Sequence, residues 1–396
     1  MDYQAPPLIP MSSPSLTQAE REAVMSVVQS HELSMGPQIR AFEEAFREYT
    51  GLRHAVAVNS GTAGLHLCVR SAGIGAGDYV ITTPFSFVAS ANVLLYENAI
   101  PVFVDVDPLT GNIDPVQVRE AAWDLAAGGE AARRWLPRSG AADGGCLKAI
   151  LAVDVFGQPP DMDPLQQVAE VYDLKVIEDS CEALGAQYKG RKAGTLGDYG
   201  VFAFYPNKQI TTGEGGMVVT NDDEAADLMR ALRNQGRSPG DTWLQHTLLG
   251  YNYRLDEMSA ALGAAQMSRL DELLSARQRV ADWYKERLSA IPAVEAPYLE
   301  ETTTFLSWFV YVIRLQKGVN RSEVAEKLSA LGIPVRPYFS PIHLQPYMAD
   351  KFGYRMGDFP VTEDLGLRGM ALPFSGELSE QQVDQVCLGL KEVLGN

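Results

Sequence analysis

Cysteine is scarce in this 396-residue chain: Cys68, Cys146, Cys181 and Cys387 are its four, and no two form a CxxC pair. That scatter argues against a disulfide framework or a zinc ribbon and suits thiols kept reduced in a cytoplasm. His31, His54, His66 and His246 are isolated and show no metal-ligand spacing, so no metal is expected. No apolar run reaches the roughly 18 residues of a membrane span. The first residues, MDYQAPPLIPMSS, lack the basic and apolar regions of a signal peptide. Basic residues are in deficit, with 33 Lys and Arg against 50 Asp and Glu and a formal charge of −17. An extended nucleic-acid surface is therefore not expected, since phosphate contacts need clustered cations. A small anion held in one donor-rich pocket stays compatible with that charge. No repeat of solenoid or propeller period is visible. The remaining class is a soluble cytoplasmic enzyme that binds neither nucleic acid nor membrane.

What is present is an alternation of short apolar runs with helical stretches. Helices are expected over 16–30 and 38–50, the first capped by Ser15 or Thr17. Strands are expected at His54–Val58, Tyr79–Thr83, Pro101–Val104, Lys148–Val153, Lys175–Glu178 and Val201–Tyr205, with helices near 86–97, 115–126 and 163–173 between several of them. This order predicts an α/β fold with a mainly parallel sheet flanked by helices. A large domain over 1–255 carries it, interrupted by an aperiodic surface insertion at 128–145. A long helical pattern from Asp256 to Ala290 then leads to a smaller C-terminal α+β domain within 256–396. That domain shows a strand-like run at Phe305–Arg314, a helix near 322–330, a strand at 333–337 and a closing helix from about 379.

Three segments carry chemistry. In GDYGVFAFYPNKQITTGEGG (197–216), a strand delivers Lys208 to a Gly-rich turn where backbone approaches closely. A lysine desolvated there becomes a nucleophilic amine able to form a Schiff base with an aldehyde cofactor. Alone, the segment fits an exposed hairpin as well. In KVIED (175–179), an apolar strand ends in Asp179 at the edge where open α/β sheets bind ligands. An acid there can keep a pyridinium nitrogen protonated, or simply cap a turn. In NSGTA (59–63), the first turn of a helix offers free N–H groups beside the Ser60 and Thr62 hydroxyls, a phosphate site or a plain cap. No Walker A loop is present, and GIGAG (73–77) follows a helix and precedes a strand, the wrong order for dinucleotide binding. Phosphate cradle, pyridinium partner and Schiff-base lysine together match what pyridoxal 5′-phosphate (PLP) requires.

With these residues in place, the chain resembles the DegT/DnrJ/StrS family of PLP-dependent sugar aminotransferases over nearly its whole length. The resemblance rests on SMGPQIRAFEEAF, VNSGTAGLHL, GDYVITTPFSFVASANVL, PVFVDVDP, IEDSCEALGA, FYPNKQITTGEGG, GYNYRLDEMSAALG and GIPVRPYFSPIH. It implies the aspartate aminotransferase type of fold and a homodimer with sites between protomers. Carried over, Lys208 is the cofactor lysine and acid–base, and Asp179 faces the pyridine nitrogen. Ser60, Gly61, Thr62 and Ala63 hold the phosphate, and Phe87 stacks on the ring. Asn252 reaches the phosphate of the neighbouring subunit, Arg254 meets a substrate phosphate or donor carboxylate, and His343 touches the sugar nucleotide. Departures occur at Ala203-Phe204-Tyr205, where many relatives have Ser-Phe-His, and at Glu182, where many have Gln or His. A carboxylate beside the cofactor's phenolate oxygen would be repelled, so Glu182 is expected to be protonated.

The implied reaction moves the amino group of L-glutamate to a keto-sugar, foremost a nucleotide-linked 4-keto-6-deoxyhexose, for amino-sugar or polysaccharide biosynthesis. A 3-keto-sugar or an aminocyclitol is the alternative acceptor. Family dehydratases carry His at the lysine position, which Lys208 opposes. A desulfurase would need a mobile nucleophilic cysteine, whereas Cys181 reads as packing. A non-catalytic regulatory homologue would not need the retained lysine, aspartate and phosphate turn.

Overall fold

The computed structural model describes residues 9–141, 145–238, 240–242 and 244–395. Residues 1–8, within the opening stretch read above, and 142–144 of the expected insertion lie outside them.

A seven-stranded sheet has the spatial order His54–Val58, Gly216–Thr220, Tyr199–Ala203, Lys175–Asp179, Leu147–Val153, Tyr79–Thr82, Ile100–Phe103. Gly216–Thr220 runs antiparallel to both neighbours, and the remaining pairs are parallel. This is the expected α/β class. Alternation along the strands sends successive side chains to opposite faces. Val56, Val58, Val201 and Val218 join Leu65 and Val69 of the helix Gly61–Ser71 on one side. Ala55, Ala57, Phe202 and Met217 meet Phe42 and Phe46 of the helix Pro37–Thr50 on the other. Both faces are covered, which is why the strands read as unbroken apolar runs.

The helical pattern expected from Asp256 to Ala290 is two helices, Glu257–Met267 and Leu270–Leu288. The break falls at Arg269, which leaves helical geometry and pairs with Glu20 and Glu272. The first helix lies on the large sheet's side of the molecule. The Glu257 carboxylate, fully buried, accepts the N–H groups of Gly36, Gln38 and Ile39 at 2.9, 2.7 and 3.2 Å. It thereby caps the helix Pro37–Thr50, whose own cap residue Gly36 has no side chain to do so.

A four-stranded antiparallel sheet follows, ordered Val294–Glu295, Tyr311–Leu315, Gly369–Leu372, Arg336–Pro337. The closing helix Glu380–Leu394 starts at a Ser379 capping box. The run Phe305–Arg314 is not one strand. Thr303–Phe305 pairs with Gln187–Tyr188, Tyr311–Leu315 belongs to the small sheet, and Trp308 between them adopts a left-handed φ of 52°. The segment expected as a surface insertion holds a short helix, Gly129–Arg133, and is stitched down beyond it. Arg138 pairs with Asp358, and the Ser139 N–H donates to the Phe352 carbonyl at 3.3 Å.

Candidate active site

The strand Tyr199–Ala203 ends where the chain leaves the sheet, and the next residues close on themselves. Phe204 N–H donates to Gly215 O and Thr212 N–H to Phe204 O, both at 3.0 Å, with the Lys208 N–H on Tyr205 O at 2.9 Å. Gly213 supplies the left-handed φ of 82° that the turn needs. Lys208 stands in this loop with its side chain 13% exposed. Its Nζ is 3.5 Å from Oε1 of Glu182 and 3.8 Å from the centre of the Phe309 ring.

Asp179 ends the neighbouring parallel strand and is buried. It accepts the Cys181 N–H at 3.2 Å and forms no ion pair among the described residues. Burial pushes its carboxyl upward, with the Lys208 charge opposing. Glu182 is buried beside it, and its Oε2 accepts the Phe156 N–H at 3.0 Å. Burial lifts Glu182 as well; Lys208 counters this and the Asp179 charge adds to it. Burial also pushes the Cys181 thiol well above its ordinary range, which disfavours the thiolate, and the partly buried side chain packs against the core.

The third segment meets the other two. Ser60 caps the helix Gly61–Ser71, its Oγ accepting the Ala63 N–H at 3.1 Å. The Gly61 and Thr62 N–H groups lie in the first turn, where no intrahelical acceptor exists. A Cβ on Gly61 would lie 2.7 Å from Cβ of Ala203 and 2.8 Å from Sγ of Cys181, so only glycine fits. The end of the lysine strand, the residues after Asp179 and the phosphate turn therefore touch.

The segment carrying Asn252 and Arg254 lies against the same turn: Asn59 N–H donates to Tyr253 O at 2.9 Å and Asn59 Nδ2 to Asn252 O at 3.3 Å. Tyr251 and Tyr253 stack at 4.9 Å between ring centres and anchor it. Tyr253 OH meets His66 Nδ1 at 3.0 Å, while Arg70 donates to Tyr251 OH at 2.9 Å. His66 Nε2 meets Glu97 at 2.8 Å. With the tyrosines engaged by their own chain, Asn252 is left exposed. Arg254 donates to Asn234 Oδ1 at 3.0 Å. Phe87 is 64% exposed at the start of the segment leading to the helix Ala89–Tyr96, a free ring without an aromatic partner among the described residues.

His343 is not brought to this cluster. It is fully buried, with Nε2 on Glu363 at 3.0 Å and its ring against Phe359 at 4.8 Å, so no edge of it is open to a substrate in this chain. Asp105 accepts the Val361 and Thr362 N–H groups at 2.9 Å and so caps the helix Pro360–Arg368. Sequence reasoning missed Arg277 and Phe309. Arg277 sits in the apolar stripe Leu273, Arg277, Val280, Tyr284 of its helix, and a charge in a buried phase was the available signal.

The model of the DegT/DnrJ/EryC1/StrS aminotransferase family matches residues 14–391. The chain belongs to that family. The aminotransferase fold and chemistry implied by the resemblance stand with it. The chain is 40% identical over 392 residues to GDP-perosamine synthase of Caulobacter vibrioides, covering 98% of this chain and 99% of that one. Among solved structures, DesV of S. venezuelae in complex with a ketimine intermediate superposes with a TM-score of 0.86 at 30% identity, covering 99% and 100% of the two chains. PseC of Helicobacter pylori, an aminotransferase involved in the biosynthesis of pseudoaminic acid, gives 0.86 at 28% identity, covering 98% and 99%.

Proposed function

We propose that this chain binds PLP at Lys208 and transfers an amino group from L-glutamate to a nucleotide-linked keto-sugar, foremost a 4-keto-6-deoxyhexose, as a cytoplasmic homodimer. The observation that carries this reading is the meeting of Lys208, Asp179 and the Ser60–Ala63 turn at one edge of the sheet. The donor set fits the cofactor. A helix N-terminus with unspent N–H groups suits a phosphate, and Asp179 is a buried acid that forms no ion pair among the described residues. Similarity to a GDP-perosamine synthase, named for a GDP-linked amino sugar, supports a nucleotide-linked acceptor.

When bound, PLP supplies an electron sink for the charge left as a proton departs from the reacting carbon. The protein does the rest. Lys208 Nζ moves that proton, poised between Glu182 and the Phe309 face. Asp179 would hold a proton on the ring nitrogen, and a cation facing it would offset the burial that otherwise lifts its carboxyl. Gly61, Thr62 and Ala63 would hold the phosphate, and the exposed Phe87 would contact the ring. Arg254 offers a cation to the substrate, and Asn252 reaches the partner's phosphate.

The visible spectrum of the protein with PLP tests the reading, recorded beside Lys208→Ala. A Lys208-dependent band that fades with L-glutamate and returns with a keto-sugar is the expected outcome. A folded protein that forms no such band would overturn it.

A further inference from the structure

Arg277 is 4% exposed, yet it pairs with no carboxylate among the described residues. Burial alone pulls its guanidinium down to about 10. A buried cation without a counter-ion costs several kcal/mol unless hydrogen bonds compensate. Here the compensation comes from four main-chain carbonyls on two separate segments. Nη1 donates to Trp308 O at 3.1 Å and Phe309 O at 3.2 Å, and Nη2 donates to Asn207 O at 3.2 Å and to the carbonyl of Lys208 itself. A planar fork of donors can span two peptide segments in this way, whereas a lysine ammonium offers a single point.

Neighbouring contacts close the same joint. Gln209 Nε2 donates to Glu182 O at 2.6 Å and to Ser307 Oγ at 2.8 Å, so residues on both sides of Lys208 are tied to residues on both sides of Trp308. Trp308 Nε1 donates to Gln278 at 2.9 Å, the residue after Arg277. Trp308 keeps a left-handed φ of 52°, a strained conformation for a bulky residue that persists only where surroundings hold it.

We propose that Arg277 is the positioning residue for Lys208: by bolting the lysine's own carbonyl to the Trp308–Phe309 turn, it holds Nζ over the Phe309 ring and within reach of Glu182. The joint also couples the lysine loop to the segment leading into the small sheet. The inference rests on Lys208 being the cofactor lysine.

Three forms of the full-length protein test it: wild type, Arg277→Gln and Arg277→Lys. Before PLP is added, hydrogen exchange is followed in the peptides covering 205–212 and 306–311. Arg277→Gln is expected to exchange about 10-fold faster there, as a local opening, with the remaining sheet unchanged. After loading, kcat is expected to fall about 100-fold with the keto-sugar KM within about 3-fold, the pattern of a displaced lysine. Arg277→Lys keeps the charge but loses the fork, and is expected to recover part of both readouts; should Arg277→Gln not fold, this variant alone decides. Wild-type exchange at 205–212 together with wild-type kcat would overturn the proposal. So would a uniform rise in exchange over the whole chain, which marks global destabilisation. Failure of wild type to form a Lys208-dependent band would instead overturn the functional reading, leaving the exchange result to judge the joint by itself.

Discussion

Lys208 Nζ stands 3.5 Å from Oε1 of Glu182, whose other oxygen is held by the Phe156 N–H at 3.0 Å. Burial and the nearby Asp179 charge raise the Glu182 carboxyl while Lys208 lowers it, with burial the largest effect. A carboxyl raised in this way is neutral at the acid end and becomes an anion beside the cofactor site as pH climbs. Glu182→Gln fixes the neutral form. The visible spectrum of the loaded variant is expected to match wild type at low pH and to diverge as pH rises through the Glu182 transition. Superimposable titrations over the whole range would refute a titrating Glu182.

The contact between Ala203 and Gly61 makes a second prediction. Ala203 Cβ occupies the space beside the Ser60–Ala63 turn. Ala203→Ser adds a donor at the edge of an anion site, worth about 1 kcal/mol or roughly 5-fold in PLP affinity. Gly61→Ala drives a methyl into Ala203 and Cys181, and overpacking of that kind costs about 1–3 kcal/mol and closes the turn to phosphate. Calorimetric PLP binding and thermal melts read both effects. No affinity gain in Ala203→Ser would place the phosphate away from residue 203.

The mainly parallel sheet, both face-covering helix layers and the three chemical segments were legible because each depends on local pattern: apolar runs, a helix start after a strand, a lysine beside glycines. What escaped was set by contacts distant in sequence. The break at Arg269 answers to Glu20, 249 residues away. The division of Phe305–Arg314 is fixed at Trp308, whose turn is held from Arg277 and Gln278. His343 is expected at the sugar nucleotide, but Phe359 and Glu363, at the start of the helix Pro360–Arg368, enclose it. Arg277 looks like one more charge on a long helix until its acceptors are in view.

Asn252 gives a prediction about assembly. Tyr251 and Tyr253 fasten its segment to His66 and Arg70 of the same chain, leaving Asn252 exposed beside the Ser60 turn. If Asn252 serves the partner's site in a two-fold dimer, Lys208→Ala and Asn252→Ala protomers complement each other. A hybrid dimer then has one site with both native residues. Random mixing is expected to restore about a quarter of wild-type sites, read as Lys208-dependent absorbance. Mixtures no better than their parents would place Asn252 in its own chain's site.

Beneath Asp179 lies a set of buried acids whose titration governs stability. Asp154 is fully buried, with Oδ2 accepting the Ser180 hydroxyl at 2.6 Å and Oδ1 without a hydrogen-bond partner among the described residues. Burial, then the Glu178 charge, pushes Asp154 well above its ordinary range. Burial likewise raises Glu178 to about 7, although its oxygens accept the Gly194 and Leu196 N–H groups at 2.8 Å. Both groups bind protons more tightly folded than unfolded. The Glu178 contribution is thus fully present below its unfolded value near 4.5 and lost as pH rises through about 7, and that of Asp154 is lost in the same direction as pH climbs. The Tm of cofactor-free protein is expected to fall across that window. Asp154→Asn removes one raised carboxyl and one like charge from Glu178, so its Tm should fall less between the same limits. Repulsion from the net negative charge grows with pH in both proteins, and the difference between their slopes isolates the buried pair. Equal slopes would show that Asp154 carries no excess proton in the folded state.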